Sequence, residues 1–200
     1  MVLLRSSIRI SAPNSVSNKP PPGWPTINIV IRPERPSDVA AIDAVTVAAF
    51  LEAPHTGYNE QLIVKALRDD SALSISLVAE IDGVVVGHVA TSSVAISDGT
   101  SGWLGLGPIS VLPELQREGI GSRLMRALMT LMESNGYGGC VLLGDPAFYS
   151  RFGFEPQAGL VLPDVPPEYF LAVAFIAPMP IGTVTYHAAF SLPAGIPSRH

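Results

Sequence analysis

The apolar residues of this chain recur with two spacings, one typical of strands and one typical of helices. Short runs rich in β-branched residues predict strands, whereas apolar positions three and four residues apart predict helices. The clearest helix begins at Ile120, because apolar residues recur with helical spacing from there to Leu131 and Asn135-Gly136 follows as a stop signal. The apolar run Trp103–Leu112 precedes this helix and predicts a long strand.

The same two spacings assign the rest of the chain to an ordered series of elements. A first strand is followed by two helices, a hairpin that turns at Asp82-Gly83, the long strand and the long helix. This order predicts a mixed α/β sheet with helices on both faces. The other predicted strands are Ile27–Arg32, Ser74–Ile81, Val84–Ser93, Gly139–Leu143, Tyr169–Ile176 and Gly182–Tyr186, and the other predicted helices are Ser37–Phe50, Asn59–Arg68 and Pro146–Phe152.

Two details of the predicted helices depend on single residues. Ser37 is expected to cap the first helix, with Asp38 in its first turn. The second helix is expected to bury Leu62, Ile63 and Leu67 on its apolar side. Both expectations rest on local sequence alone.

Composition sets limits on the class of protein. The chain has 200 residues, of which 48% are hydrophobic, so residues 26–200 are long enough for a single domain with a core. Residues 1–25 are rich in Ser, Asn and Pro and predict a flexible extension. No apolar run reaches about 18 residues, so a membrane span is not expected.

Charge and cysteine content narrow the function further. The net charge is −5 and only 14% of residues are charged, which argues against a nucleic-acid-binding surface. The single cysteine, Cys140, excludes a disulfide framework and favours the cytoplasm. His55, His187 and His200 have no metal-ligand spacing, so no metal is expected.

The junction between the long strand and the long helix is the best candidate for chemistry. A glycine loop that opens a helix presents unpaired backbone N–H groups, which bind phosphate oxygens. A P-loop would need a lysine here, and the only lysines are Lys19 and Lys65. A Rossmann site would need its glycines at a strand-to-helix turn, but Gly105-Leu106-Gly107 lies inside the strand.

Two motifs resemble the GNAT superfamily of N-acetyltransferases. Gln116-x-x-Gly119-x-Gly121 resembles its acyl-CoA pyrophosphate loop, and Tyr149, four residues before Gly153-Phe154, resembles its general-acid tyrosine. The order of elements is similar to the GNAT fold from about residue 27 to 190, with its sheet splayed at the centre. The longer string Gly144–Phe154 resembles the YhbS-type group of predicted N-acetyltransferases.

The resemblance implies an acyltransferase that moves an acetyl group from acetyl-CoA to a primary amine, on a small molecule or a peptide, within a ternary complex. Pantetheine would pair with the long strand, pyrophosphate would lie on the loop amides, and Tyr149 would assist the leaving thiolate. Homodimers are common among similar proteins. The residues expected to bind acetyl-CoA are Ile109, Ser110, Val111, Gln116, Arg117, Glu118, Gly119, Ile120, Gly121 and Ser122.

The sequence favours a hydrogen-bonding role for Tyr149. The pKa of an ordinary tyrosine is about 10 and that of a thiol about 8.5, so outright proton transfer is uphill by about 2 kcal/mol. Packing against the sheet is the alternative role for this residue. Two roles are also open for Arg117: a side-chain contact to the phosphates, and a solvated surface charge.

The general base stays open. Many GNAT enzymes carry a glutamate six residues before the position of Val111, where this chain has Gly105. Glu80, His88 and Asp145 are alternatives, although a core histidine and a helix cap are the simpler roles for the last two. Cys140 is expected to pack as a small apolar residue.

Three functions are open at this point: the acetyltransferase, a non-catalytic acetyl-CoA-binding regulatory module, and transfer of a longer acyl chain. Glycine loop and tyrosine together favour the enzyme. The acceptor pocket is expected between the first two helices and the loops at His55–Asn59 and Gly159–Tyr169.

Overall fold

The structure is a computed structural model that describes residues 28–51 and 58–193. The predicted extension over residues 1–25, His55 and His200 lie outside the described residues. Within them, the helices are α1 (Val39–Phe50), α2 (Glu60–Asp69), α3 (Ile120–Ser134) and α4 (Pro146–Tyr149). The strands are β1 (Ile29–Pro33), β2 (Leu73–Ile81), β3 (Val84–Ser93), β4 (Ala95–Ile96), β5 (Trp103–Val111), β6 (Gly139–Leu143), β7 (Glu155–Pro156), β8 (Leu160–Val161), β9 (Phe170–Ala174) and β10 (Gly182–Thr185).

The main sheet has seven strands in the order β1-β2-β3-β5-β6-β9-β7. Its neighbouring strands are antiparallel except for β5 and β6, which run parallel as the connection through α3 requires. The predicted β2–β3 hairpin is confirmed, and Asp82 and Gly83 both have the positive φ that a tight hairpin turn demands.

Helices cover both faces of this sheet, as predicted. The buried side of α3 places Leu124, Met125 and Leu128 against the sheet beside Leu77 of β2. On the other face, α1 and α2 pack against β2 and β3 through Ile42, Val45, Val64, Val78 and Val85. None of the helices within residues 28–51 and 58–193 has both the length and the apolar character that crossing a membrane requires.

The cap predicted at Ser37 is wrong. A turn of 3-10 helix, Pro36–Asp38, precedes α1, and the side chain of Asp38 accepts the backbone N–H of Arg35 at 2.7 Å. The reason is an ion pair: the Arg32 guanidinium lies 2.6 Å from the Asp38 carboxylate and fixes it over this turn. A serine hydroxyl cannot make that ion pair.

The buried side of α2 also differs from the prediction. Leu62 is 45% exposed, whereas Ile63, Val64 and Leu67 are buried. The sheet and the C-terminal segment both pack on α2, because Ala189 joins Ile63 and Leu67 in one apolar cluster. Contacts with residues distant in sequence therefore decide which face of α2 is inside.

A second, smaller sheet was not predicted from the sequence. It pairs β4, β10 and β8, and two of these strands have only two residues each. Strands of that length carry no periodicity that could identify them. Its apolar side, with Ile96, Leu160 and Val184, packs against Trp103 of the central strand.

The main sheet splays between its two parallel strands. Pairing of β5 with β6 runs from Trp103 opposite Gly139 to Leu106 opposite Leu142 and then stops. Beyond Leu106, β5 continues beside β3 alone, while β6 continues beside β9. One edge of residues 107–111 is consequently open, which confirms the predicted splay.

A half-buried charge cluster ties α2 to the sheet. Arg68 donates two hydrogen bonds of 3.0 Å to Glu34, and Ser76 donates a third. His88 is fully buried, with its Nε2 2.9 Å from Ser76 Oγ and 3.7 Å from Glu34 Oε2. Burial alone would raise the pKa of Glu34, but the nearby His88 and the hydrogen bonds from Arg68 and Ser76 outweigh burial and hold that pKa well below the ordinary value.

The lowered pKa of Glu34 predicts a pH-dependent contribution to stability. A carboxyl with a lowered folded-state pKa stabilises the protein above its unfolded value of about 4.3, and this stabilisation is lost as the pH falls through the folded value. The unfolding free energy of Glu34→Gln should therefore lie furthest below wild type near neutral pH, with the gap shrinking below about pH 4. Urea unfolding across that range measures it, with the exposed Glu155→Gln as control, and a gap that widens on acidification would contradict the assignment.

Candidate active site

The open edge of β5 forms one wall of the candidate site. Ile109 and Val111 are half-buried there, whereas the Ser110 side chain is turned inward with its Oγ 3.3 Å from Thr46 Oγ1 of α1. A backbone edge that has lost its neighbouring strand can pair with an extended, amide-containing ligand.

The glycine loop lies at the end of this edge. Gln116 donates a hydrogen bond of 3.1 Å from Nε2 to the backbone oxygen of Val111, which fixes the loop against the strand. Arg117 and Gly119 have φ values of 67° and 84°, so the backbone turns sharply before α3 begins at Ile120. No side chain caps α3, and its first N–H groups are available to an anion.

Strand edge and loop enclose a cavity of about 490 Å³, here called the glycine-loop cavity. Eight of the ten residues predicted to bind acetyl-CoA line it: Ile109, Ser110, Val111, Gln116, Arg117, Gly119, Gly121 and Ser122. The other two differ in exposure. Glu118 is exposed outside the cavity lining, and the Ile120 side chain points into the core, so Ile120 can offer only its backbone N–H.

Phe148 and Arg151 also line the glycine-loop cavity, and the sequence analysis missed both. The Arg151 guanidinium lies 4.7 Å from the centre of the Phe148 ring, and its Nε donates to the Phe148 backbone oxygen at 3.1 Å. Stacking on an aromatic face holds a cation in place without neutralising it. The sequence offered one signal for Arg151, which is that it follows Tyr149 by two residues on the same short segment.

Tyr149 is held rigidly at the end of α4. The Asp145 carboxylate accepts the Ala147 N–H at 2.9 Å and caps this helix, as expected for Asp145. A side chain at Gly144 would collide with the Tyr149 ring, so the glycine makes room for the phenol. Burial, with smaller effects of Cys140 and Asp145, raises the pKa of Tyr149 to about 12. Its hydroxyl has no hydrogen-bond partner within the described part of the chain.

A second cavity of about 720 Å³, here called the aromatic cavity, is lined in part by Tyr149. It shares Ile109 with the glycine-loop cavity. Its walls come from the end of α1, the start of α2, the loop after β8 and the C-terminal segment: Phe50, Glu60, Ile63, Leu162, Pro163, Val165, Tyr186, Phe190 and Ser191. These walls include the helices and the loop where the sequence analysis expected the acceptor pocket.

Comparison with known proteins decides the family. A model of the acetyltransferase (GNAT) domain matches residues 72–156, which include the glycine loop and α4. The chain is 37% identical over 131 residues to the uncharacterised N-acetyltransferase YhbS of Escherichia coli K12, covering 65% of this chain and 75% of that protein. The chain belongs to the GNAT family. It is therefore an acyltransferase of the N-acetyltransferase type.

Two crystal structures extend the similarity of this GNAT protein to the whole fold. A GNAT acetyltransferase from Brucella melitensis in complex with acetyl-CoA is 48% identical, with a TM-score of 0.73 over 82% of this chain and 99% of that one. Escherichia coli YhbS in complex with CoA is 34% identical, with a TM-score of 0.76 over 84% and 94% of the two chains.

Among the alternatives considered for a general base, none lines either cavity of this GNAT protein. Glu80 is paired with Arg32 at 2.6 Å. His88 is fully buried, and burial lowers its pKa despite the nearby Glu34. It is a hydrogen-bonded core histidine, the role that its position in an apolar strand predicted. Asp145 caps α4, as described above.

Gly105, the strand position where a glutamate base was considered, is covered by an aromatic ring. A side chain at Gly105 would collide with the ring of Tyr186, which packs against the central strand at this point. The C-terminal segment thus fills the space that the missing glutamate would occupy. Sequence reasoning missed Tyr186, because nothing local indicates that residue 186 contacts residue 105.

The described residues offer neither a metal-binding group nor a reactive thiol for covalent catalysis. Within residues 28–51 and 58–193, no group of three or more His, Cys, Asp or Glu could hold a metal ion. Cys140 is fully buried in the core, and burial raises the pKa of its thiol far above the ordinary range. A buried, protonated thiol is a poor nucleophile.

The burial of Cys140 predicts that its thiol is inert in the folded protein. Ellman's reagent should label native protein at least about a hundredfold more slowly than protein unfolded in urea, because only the exposed thiolate reacts. One equivalent should react after unfolding, since the chain has a single cysteine. Rapid labelling of the folded protein would contradict the packing described here.

Proposed function

We propose that this GNAT protein transfers an acetyl group from acetyl-CoA to a primary amine, by direct attack of the amine on the thioester while both substrates are bound. One observation carries the proposal: the glycine-loop cavity and the aromatic cavity share Ile109 on the open edge of β5, and Tyr149 lines the aromatic cavity. The relatives in complex with acetyl-CoA and with CoA support the choice of cosubstrate.

Acetyl-CoA would occupy the glycine-loop cavity. Its pantetheine amides would hydrogen-bond to the open backbone edge at Ile109–Val111. Its pyrophosphate would accept the N–H groups of residues 117–122, where the positive φ of Gly119 aims the first turn of α3 at the cavity. Arg117 and Arg151 line the same cavity and would add positive charge near the phosphates.

The acceptor would enter from the aromatic cavity. Its nitrogen bonds to the thioester carbonyl carbon, the carbon–sulfur bond breaks, and the electron pair leaves on sulfur. A neutral amine then gives its proton, overall, to sulfur, so the products are an amide and the free thiol. An ammonium substrate releases one further proton to solvent. A backbone N–H near Val111 would stabilise the tetrahedral oxyanion.

Tyr149 would act as a hydrogen-bond donor to the developing thiolate. Its pKa of about 12 keeps the phenol protonated through the neutral range. The same high pKa makes full transfer of its proton to a thiolate, of pKa about 8.5, less favourable than for an ordinary tyrosine. The donor role therefore fits the burial of this residue better than proton transfer does.

The identity of the base is unassigned, because Glu80, His88 and Asp145 all have structural partners. A substrate that arrives as the neutral amine needs no base. We place the reaction in the cytoplasm, consistent with one buried free thiol. The single domain over residues 26–200 and the homodimer stay predictions.

Calorimetry with coenzyme A tests the placement of the cosubstrate. Wild type should bind coenzyme A, and Arg151→Gln should weaken binding about tenfold because a charge-assisted contact is lost. Arg35→Gln removes the same charge from an exposed position far from the cavity and should change affinity little. No uptake by wild type at millimolar coenzyme A would overturn the proposal.

Tyr149→Phe tests the chemistry separately from binding. Turnover, followed as thiol release from acetyl-CoA with an amine panel, should fall about tenfold or more because the leaving sulfur loses its donor. The affinity for acetyl-CoA should stay nearly unchanged. Tyr169→Phe, at an exposed tyrosine, is the matched control.

Two outcomes would count against this assignment. Equal turnover in Tyr149→Phe would remove the donor role. Tight binding of acetyl-CoA without turnover of any amine or peptide would favour the non-catalytic acetyl-CoA-binding module instead.

A further inference from the structure

Among the described residues that line the aromatic cavity, the formal charge is of one sign. Among its seventeen described lining residues, Glu60 carries a formal charge and no lysine, arginine or histidine is present. Glu60 is the first residue of α2, and its carboxylate oxygen Oε2 is buried. A carboxylate in a partly dry pocket attracts a cation and repels another anion.

Aromatic rings form a large share of the remaining wall. Phe50, Tyr149, Tyr186 and Phe190 all line the cavity, and the Tyr186 and Phe190 rings pack 4.9 Å apart. The Tyr186 hydroxyl oxygen is buried, and the residue contributes its ring to the lining. Aromatic faces attract ammonium groups and also stack on apolar bodies.

The rest of the lining is mostly aliphatic, and its polar side chains are two hydroxyls. Leu106, Pro108 and Leu143 form the floor between the diverging strands, and Thr185 and Ser191 supply the hydroxyls. A second charged group on a ligand would have to leave water without a partner here. The volume of about 720 Å³ suits a small organic molecule.

We infer that the acceptor is a primary monoamine with an aromatic or branched apolar body, whose ammonium group binds beside Glu60 and whose body packs between the rings of Phe50, Tyr186 and Phe190. This inference rests on the proposed function, since it takes the aromatic cavity as the acceptor site. Diamines and amino acids fit poorly, because each carries a second charged group into an apolar wall.

The simpler role of Glu60 is electrostatic support of α2, because acidic residues stabilise helix N-termini. That role predicts a loss of stability in Glu60→Gln but no discrimination between charged and neutral ligands. Binding of an amine and of its neutral isostere therefore separates the two roles.

The experiment compares phenethylamine with phenethyl alcohol on the full chain loaded with coenzyme A. Calorimetry should show that Glu60→Gln binds phenethylamine about tenfold more weakly than wild type, because a charge-assisted contact is lost. Phenethyl alcohol should bind both proteins equally. Glu133→Gln, which removes the same charge from an exposed site at the end of α3, should leave both affinities unchanged.

Turnover then tests the substrate class. With acetyl-CoA, kcat/KM for phenethylamine should exceed that for putrescine and for beta-alanine by about tenfold or more, because those two bury an extra charge. A preference for putrescine or beta-alanine would overturn the inference and leave acetyl transfer intact. Equal losses of amine and alcohol binding in Glu60→Gln would also overturn it.

Failure of the proposed function gives a different result. If coenzyme A binds but no amine is acetylated, the proposal of acetyl transfer is wrong. The inference about the ligand is then tested only by the binding of phenethylamine and phenethyl alcohol. Phenethylamine binding that depends on Glu60 would then support a cation-binding cavity, whereas no detectable binding to wild type would overturn it.

Discussion

The candidate active site depends on the divergence of two parallel strands. Beyond Leu106, β5 and β6 have different neighbours, so the backbone of residues 107–111 keeps one edge unpaired. Buried peptide groups without partners are costly, and a sheet tolerates such a gap only where a ligand or solvent can fill it. The glycine loop, α3 and α4 are arranged around this gap, which makes it the feature that joins the two cavities.

Small residues beside large rings set the shape of the site. Gly144 leaves room for the Tyr149 ring, and Gly105 leaves room for the Tyr186 ring. The second pairing puts an aromatic wall at the strand position where a glutamate base was considered. The chain thus places a glycine loop beside an aromatic cavity whose charged lining residue in the described part of the chain, Glu60, comes from α2 and not from the central strand.

Rigid support surrounds these cavities on the side of α1 and α2. The cluster of Glu34, Arg68, Ser76 and His88 ties α2 to β2 and β3, and Asn59 donates a hydrogen bond of 2.8 Å to the backbone of Leu192. Helix α2 and the C-terminal segment are therefore held together, and residues of both line the aromatic cavity. His88 was one of the bases considered from the sequence, but it belongs to this cluster. Its ring is buried, and its Nε2 is hydrogen-bonded to Ser76 of β2.

The sequence by itself determined the longer helices and strands, the hairpin at Asp82-Gly83, the glycine loop and the segment that carries Tyr149. These features are local: periodicity, turn residues and motif spacing act within a few residues of each other. Only the tertiary structure decided the buried face of α2, the small second sheet and the wall formed by Tyr186. Each of these depends on contacts between segments far apart in the chain, whose meeting is set by packing of the whole core. The ion pair of Asp38 with Arg32 and the stacking of Arg151 on Phe148 are local contacts, but periodicity and motif spacing do not show them.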